Sequence, residues 1–284
     1  MTLLQKIIKY GAMIFGFYLA FVILSAIVFG IVSVFSISVG LDAYKSHTTE
    51  QQITASFEET FEGVKNLDIK LDVSKLNVKN GDKFKVEVTN PTNDFYCKMD
   101  GDTLKIRDDR TNFDLFRFTD EVIPEIVVYI PENQELKDIE IRAGVNETCI
   151  EQLVADEIDI ESGVGKFTIG NLKADVVNIN GGAGETNIEA STINKLKLEA
   201  GVGKFVINSE IVEEAKVEAG VGQLIVNLKG KKQNYKVKTS TGLGSLLVDG
   251  EKAEDNQIIG DGNSYIEIQA GVGEVKVDFT ENSI

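Results

Sequence analysis

The stretch Gly163-Val164-Gly165-Lys166-Phe167-Thr168 sets a Gly-Lys pair close to a hydroxyl residue, the ingredients of a loop that cradles phosphate. A phosphate loop also needs a Gly separated from the Gly-Lys pair by four residues, and Ser or Thr directly after the Lys. Ile160 and Phe167 occupy those two places, and no helix signal follows. A dinucleotide fingerprint fails as well, because no strand–turn–helix context surrounds the glycines. The run Gly181-Gly182-Ala183-Gly184-Glu185-Thr186-Asn187-Ile188 has the glycine content of a calcium-binding β-roll repeat. Such repeats return every nine residues and carry Asp where this chain has Thr186. Both runs read better as structural corners.

The rest of the chemistry is thin. The chain has 284 residues with 45 Asp and Glu, 29 Lys and Arg, a net charge of −16, one histidine, two cysteines and no tryptophan. That balance argues against nucleic acid, whose phosphates must be met with Lys and Arg. A glycan lyase or hydrolase would want clustered acids, bases and aromatics in a groove, and spacing singles out no carboxylate pair. His47 sits in a polar stretch and reads as solvated. Cys97 and Cys149 are 52 residues apart and are expected to be free thiols, with Cys149 pointing outward. No catalytic, cofactor-binding or metal-binding residue is assigned, and the chain reads as a non-enzyme.

A repeat must position whatever the chain presents. Gly144-Val-Asn146, Gly163-Val-Gly165, Gly182-Ala-Gly184, Gly201-Val-Gly203 and Gly220-Val-Gly222 recur every 19 residues. Gly242-Leu-Gly244 and Gly271-Val-Gly273 follow after intervals of 22 and 29, which fit loop insertions near 229–235 and 250–263. With the first glycine of each motif set to zero, apolar or small residues fall at −5, −3, −1, +1, +4 and +6. Leu196, Leu198, Ala200, Val202, Phe205 and Ile207 make one such set. Period two on each side of the motif means strands. The single phase break between +1 and +4 marks a corner, for which glycine is suited. A unit this short cannot bury its own face, so successive units must stack as a β-solenoid. The expected coil has two strands and a short variable return. The same template fits Leu67, Ile69, Leu71, Val73, Leu76 and Val78 upstream, so 57–135 is expected to be degenerate coils and a cap, and 136–284 the regular solenoid.

The passages IPENQELKDIEIRAGVNET (130–148), IDIESGVGKFTIGNL (158–172) and KLKLEAGVGKFVINS (195–209) resemble the bacterial "putative adhesin" β-strand-repeat domain, a domain of unknown function in envelope proteins. An apolar span followed by this domain is similar to the LiaG-like membrane-anchored proteins of Gram-positive bacteria. The resemblance covers roughly residues 60–280. It implies an all-β repeat fold and a surface or envelope-stress setting, and it carries over no catalytic residue.

Position is set by the N-terminal segment. Tyr10 to Leu41 contains no charged residue. A bilayer core takes about 20 apolar residues as a helix, so 10–40 is expected to span the membrane. A cleaved signal peptide has an apolar core of about 7–15 residues, far shorter than this one. Lys6 and Lys9 precede the span and Asp42 follows it, so 1–9 is expected in the cytoplasm, 41–56 as a juxtamembrane linker, and the remainder outside. Beyond position 45 lie 26 basic and 44 acidic residues, a formal charge of −18. Ala12, Gly16 and Ala20 share one helix face, a spacing that supports self-association of spans.

Two outward columns stand out. Column +3 reads Glu147, Lys166, Glu185, Lys204, Gln223, Ser245 and Glu274, with alternating charge in its first four members, as in a register-pinning ladder. Column +5 places Val206, Ile225 and Leu247 in successive coils, an expected contiguous apolar strip for a partner. An insertion folding over that strip is the alternative. The preferred reading is a single-pass membrane protein displaying a binding, sensing or scaffolding β-solenoid at the cell envelope. The alternative is a tethered scaffold that self-assembles end to end as bactofilin-type β-helices do, which the degenerate N-terminal cap opposes. No cofactor is expected, and the partner is a protein or envelope component of unassigned identity.

Overall fold

The computed structural model describes residues 56–108, 123–132 and 134–280. The expected span, with Ala12, Gly16 and Ala20, and the site of His47 lie outside the described residues. Among the described residues, no helix is long and apolar enough to cross a membrane. The strands are β1 (Ser56–Phe61), β2 (Asn66–Gly81), β3 (Phe84–Thr89), β4 (Tyr96–Asp100), β5 (Thr103–Asp108), β6 (Glu125–Pro131), β7 (Leu136–Lys229), β8 (Tyr235–Val248), β9 (Glu251–Lys252), β10 (Ile258–Ile259) and β11 (Ser264–Thr280). One short 3-10 turn, Lys232–Asn234, precedes β8. The architecture is all-β and solenoid-like.

β7 is a single 94-residue run that coils on itself with the 19-residue period. A Cβ built on Gly163 would lie 2.2 Å from the carbonyl oxygen of Gly144, and one on Gly182 would lie 1.9 Å from that of Gly163. Asn178 donates from Nδ2 to Asp159 Oδ1 at 2.7 Å, and Asn227 to Asn208 Oδ1 at 2.6 Å, each pair 19 residues apart. Stacking identical positions in this way pairs every strand edge except those at the two ends.

The coil differs from expectation in where it bends. Position +1 does not face the core. Position +2 does, as Ser74 at 2% exposure and Asn146 at 9% show where the corner lacks its second glycine. The chain also turns twice more, so the return is a third strand-like side and not a variable loop. Around Gly163 the buried set is Ile158, Ile160, Phe167, Ile169, Leu172 and Ala174. In neighbouring coils Leu153 and Ala155, or Ser191 and Ile193, line the third side. Inward positions are two apart along each side and three apart across each corner. A step of three reverses the alternation of a strand, which keeps the apolar face inward after the chain changes direction.

The stacking order also departs from the chain order. β11 lies between the last coil of β7 and β8: Ile268 faces Val217 on one side and Thr239 on the other. Thus the corners stack as Gly220, Gly271, Gly242. A Cβ on Gly273 would meet Gly222, and one on Gly244 would meet Gly273. The N-terminal end mirrors this. β2 lies between β7 and the β5/β6 layer, with Leu67 facing Ile139 and Leu104, and Val78 facing Ile150 and Val128. The segment 57–135 therefore holds one regular coil and one split coil. Antiparallel strands β3 and β1 cover β6, and β4 covers β5. At the other end β9 and β10 run antiparallel on β8. Short antiparallel strands blunt an exposed edge against further pairing.

Candidate interaction surface

The outer corner is made by two glycine columns. Gly165 has φ 143° and Gly203 has φ 142°. A side chain at either would be strained, and its Cβ would sit 1.8 Å from the oxygen of Asn146 or 1.9 Å from that of Gly184. Gly163, Gly182, Gly201, Gly220 and Gly271 approach the layer beneath almost as closely. Gly222, Gly184 and Gly273 repeat the positive φ, whereas Gly242 and Gly244 close the end corner at exposed positions.

With both flanks bare, the residue between the glycines stands clear of the backbone. These residues, continued at the N-terminal end by Val73 between Asp72 and Ser74 and by Val145 between Gly144 and Asn146, stack as Val73, Val145, Val164, Ala183, Val202, Val221, Val272 and Leu243, the ends fixed by the pairs Val73–Val145, Val221–Val272 and Val272–Leu243. Val145, Val164 and Val202 are half-buried. Exposure then rises toward the C-terminal end, from 40% at Val221 through 48% at Val272 to 76% at Leu243. The result is a continuous apolar ridge along the corner, in water, of the kind that marks a contact site. Sequence reasoning placed this column inside. The signal that could have found it was present: a branched residue between two glycines has no inward neighbour at i±2 that is large.

The expected strip in column +5 is not contiguous. Val206 and Ile225 are neighbours, but Ile225 pairs with Lys276, and Lys276 with Leu247. The lysine intervenes because β11 is inserted between the coils of Ile225 and Leu247. All three apolar members are half-buried, and β9 pairs beside Leu247 through Lys252. The insertion at 250–263 thus folds back over the edge at that end.

Charged columns flank the ridge. On one side column +3 runs Lys75, Glu147, Lys166, Glu185, Lys204, Gln223, Glu274 in stacking order. Lys204 lies 3.9 Å from Glu185, and Gln223 donates from Nε2 to Glu274 at 2.7 Å. The Gln223 bond first, and Lys276 next, hold the Glu274 carboxyl below its usual range. On the other side, column −2, Arg142 lies 3.4 Å from Glu161, and Lys197 lies 2.7 Å from Glu199 and depresses its carboxyl pKa. Exposed pairs like these contribute little stability each. They fix which sign stands at which layer.

Elsewhere the polar groups look structural. Arg107 reaches from β5 to Asp68 on β2, donating to its carbonyl at 2.8 Å and pairing with its carboxylate. The Asp138 carboxyl is pushed up by burial, then by Asp159 and Asp68. Burial also raises that of Glu140, with Arg142 opposing and the same aspartates reinforcing. Cys97 and Cys149 are both free thiols, and burial pushes the Cys97 pKa up to about 12. Among the described residues, no group of three or more His, Cys, Asp or Glu side chains is placed to hold a metal ion.

The solved structures to which the chain is similar at low identity include the following three. A cell adhesion protein, described as "putative", from Clostridium sporogenes is 16% identical, covers 80% of this chain and 100% of its own, with a TM-score of 0.31. A "putative adhesin" from Bacteroides fragilis is 12% identical over 80% of this chain and 98% of its own, with a TM-score of 0.42. A "putative lipid binding protein" from Parabacteroides distasonis is 13% identical over 80% and 97%, with a TM-score of 0.43. No curated protein matches the chain. Residues 64–264 match the Toastrack DUF4097 family, and since they make up most of the sequence, the chain belongs to that family.

Proposed function

We propose that this protein is a membrane-tethered module that displays its β-stack outside the cell and binds or scaffolds a partner at the bacterial envelope, without turning over a substrate. The observation that carries this reading is the apolar ridge ending at Leu243, at 76% the most exposed large apolar side chain among the described residues. A repeated ridge offers many equivalent contacts along a line and no enclosed site, which suits an extended partner. The uncharged run 10–40 behind Lys6 and Lys9 supplies the tether and its orientation. The blunted ends favour lateral contact over end-to-end growth.

Protease shaving of intact cells, probed at the C-terminal end, tests the placement. Loss of that end supports the reading. Protection in intact cells with digestion after lysis would place the stack in the cytoplasm and sink the envelope role. For the surface, a Leu243→Asp/Val272→Asp chain is expected to fold normally and to lose retention on isolated envelopes. Unchanged retention would remove the ridge as the contact.

A further inference from the structure

We propose that the ridge is a parallel, two-fold contact between two copies of this chain. The proposal rests on the ridge being a contact surface and names its partner. Two observations select a second copy.

The first is spacing. The ridge places one apolar side chain per layer, about 4.8 Å apart, for about 34 Å from Val73 to Leu243. A partner that meets each side chain in step must itself repeat at the strand spacing. A second copy does so by construction, and from Val164 to Leu243 the glycines on both sides of each ridge residue let the two backbones approach.

The second is charge. A two-fold axis parallel to the stack sets each layer opposite the same layer of the other copy. Column −2 of one copy then faces column +3 of the other. Arg142 meets Glu147, Glu161 meets Lys166, and Glu199 meets Lys204. The next layers set Glu218 opposite Gln223 and Gln269 opposite Glu274, amide against carboxylate. Only the layer of Lys70 and Lys75 brings like charges together. The same operation lays Val221, Val272 and Leu243 against themselves, so the three most exposed ridge residues are covered. An antiparallel pair would instead set the Leu243 end against the half-buried Val73 end. A strip one residue wide lies at the small end of interface sizes, so the contact is weak in dilute solution. Anchoring both copies in one membrane raises their effective concentration.

The test is cysteine cross-linking of the full chain in proteoliposomes, on a Cys149→Ser background. Under mild oxidation, Leu243→Cys and Val272→Cys are each expected to form disulfide dimers about tenfold more than Lys173→Cys, an exposed position on the third side of the coil. Lys204→Glu should reduce cross-linking at Leu243→Cys, and adding Glu199→Lys should restore it, because the two residues face each other across the axis. Equal cross-linking at Lys173→Cys, or no recovery in the double charge variant, overturns the proposal. So does a dimer that forms only when Leu243→Cys and Val73→Cys chains are mixed, which would be antiparallel. If ridge cysteines stay monomeric while Leu243→Asp/Val272→Asp still abolishes envelope retention, the ridge serves a different partner and only the two-fold proposal falls.

Discussion

The ring of Phe205 lies against the backbone of Gly181 in the preceding layer, so close that a methyl on Gly181 would sit 2.3 Å from its Cε1 and Cζ atoms. A large residue at +4 is accommodated by the smallest residue at −1 across the core. Gly181→Ala should therefore cost about 1–3 kcal/mol through overpacking. Phe205→Leu should relieve the clash, leaving the double variant more stable in urea than the two separate losses would sum to. Strictly additive losses would show that the ring and Gly181 are not coupled.

The two kinds of positive-φ glycine should respond differently. Gly203→Ala meets both a left-handed backbone and a carbonyl oxygen 1.9 Å away. It should lose about 3 kcal/mol or more, combining backbone strain with displacement of a whole layer. Gly63 also has positive φ, 72°, but nothing lies within 4 Å of its added Cβ. Gly63→Ala should cost only about 1 kcal/mol. Equal losses on thermal unfolding would contradict the close layer approach at the corner.

The exchanged stacking order can be read by truncation. In a chain ending at position 249, β8 loses β11, the coil it stacks on among the described residues, together with the short strands β9 and β10. Hydrogen exchange in 235–248 should then approach that of an unfolded segment, while 195–229 stays protected. Persistent protection of 235–248 would mean that it can stack directly on the coil of Gly220.

Asp138 should contribute a defined acid dependence. Its carboxyl binds a proton more readily in the folded than in the unfolded chain. The native chain therefore gains stability as pH falls through the raised value, and pays the penalty above it. Asp138→Asn should raise Tm at pH 7, with the advantage shrinking on acidification. A variant less stable at pH 7, or an advantage that grows in acid, would reverse this sign.

Ridge residues should contribute little to folding. Val221→Ser and Val272→Ser should each change stability by less than about 0.5 kcal/mol, as exposed sites do. Phe205→Ala, one side of the corner away, should cost about 3–5 kcal/mol. Large losses at Val221 or Val272 would return that column to the core.

The sequence by itself determined the class, the period and the glycine corner of each coil, but not the two further turns. Ile158, Ile160, Phe167 and Ile169 alternate as a strand must, Gly163 and Gly165 interrupt that alternation, and the interval of 19 repeats it, all of which are local properties written along the chain. Two more things were decided only in three dimensions. The side on which Val164 and Val221 fall depends on whether the phase breaks before or after them, and an apolar residue is compatible with either until the approach of the layer beneath is known. The insertion of β11 beneath β8 depends on which edges are left open once the coils form. The motifs around Gly242 and Gly271 are nearly the same and either could follow Gly220. With β11 inside, its 17-residue strand is paired along both edges, and the shorter β8, which β9 and β10 can cover, takes the end. That choice separated Ile225 from Leu247, and with it the apolar strip the sequence suggested, because contiguity on a surface is a property of neighbours in the stack and not of order in the chain.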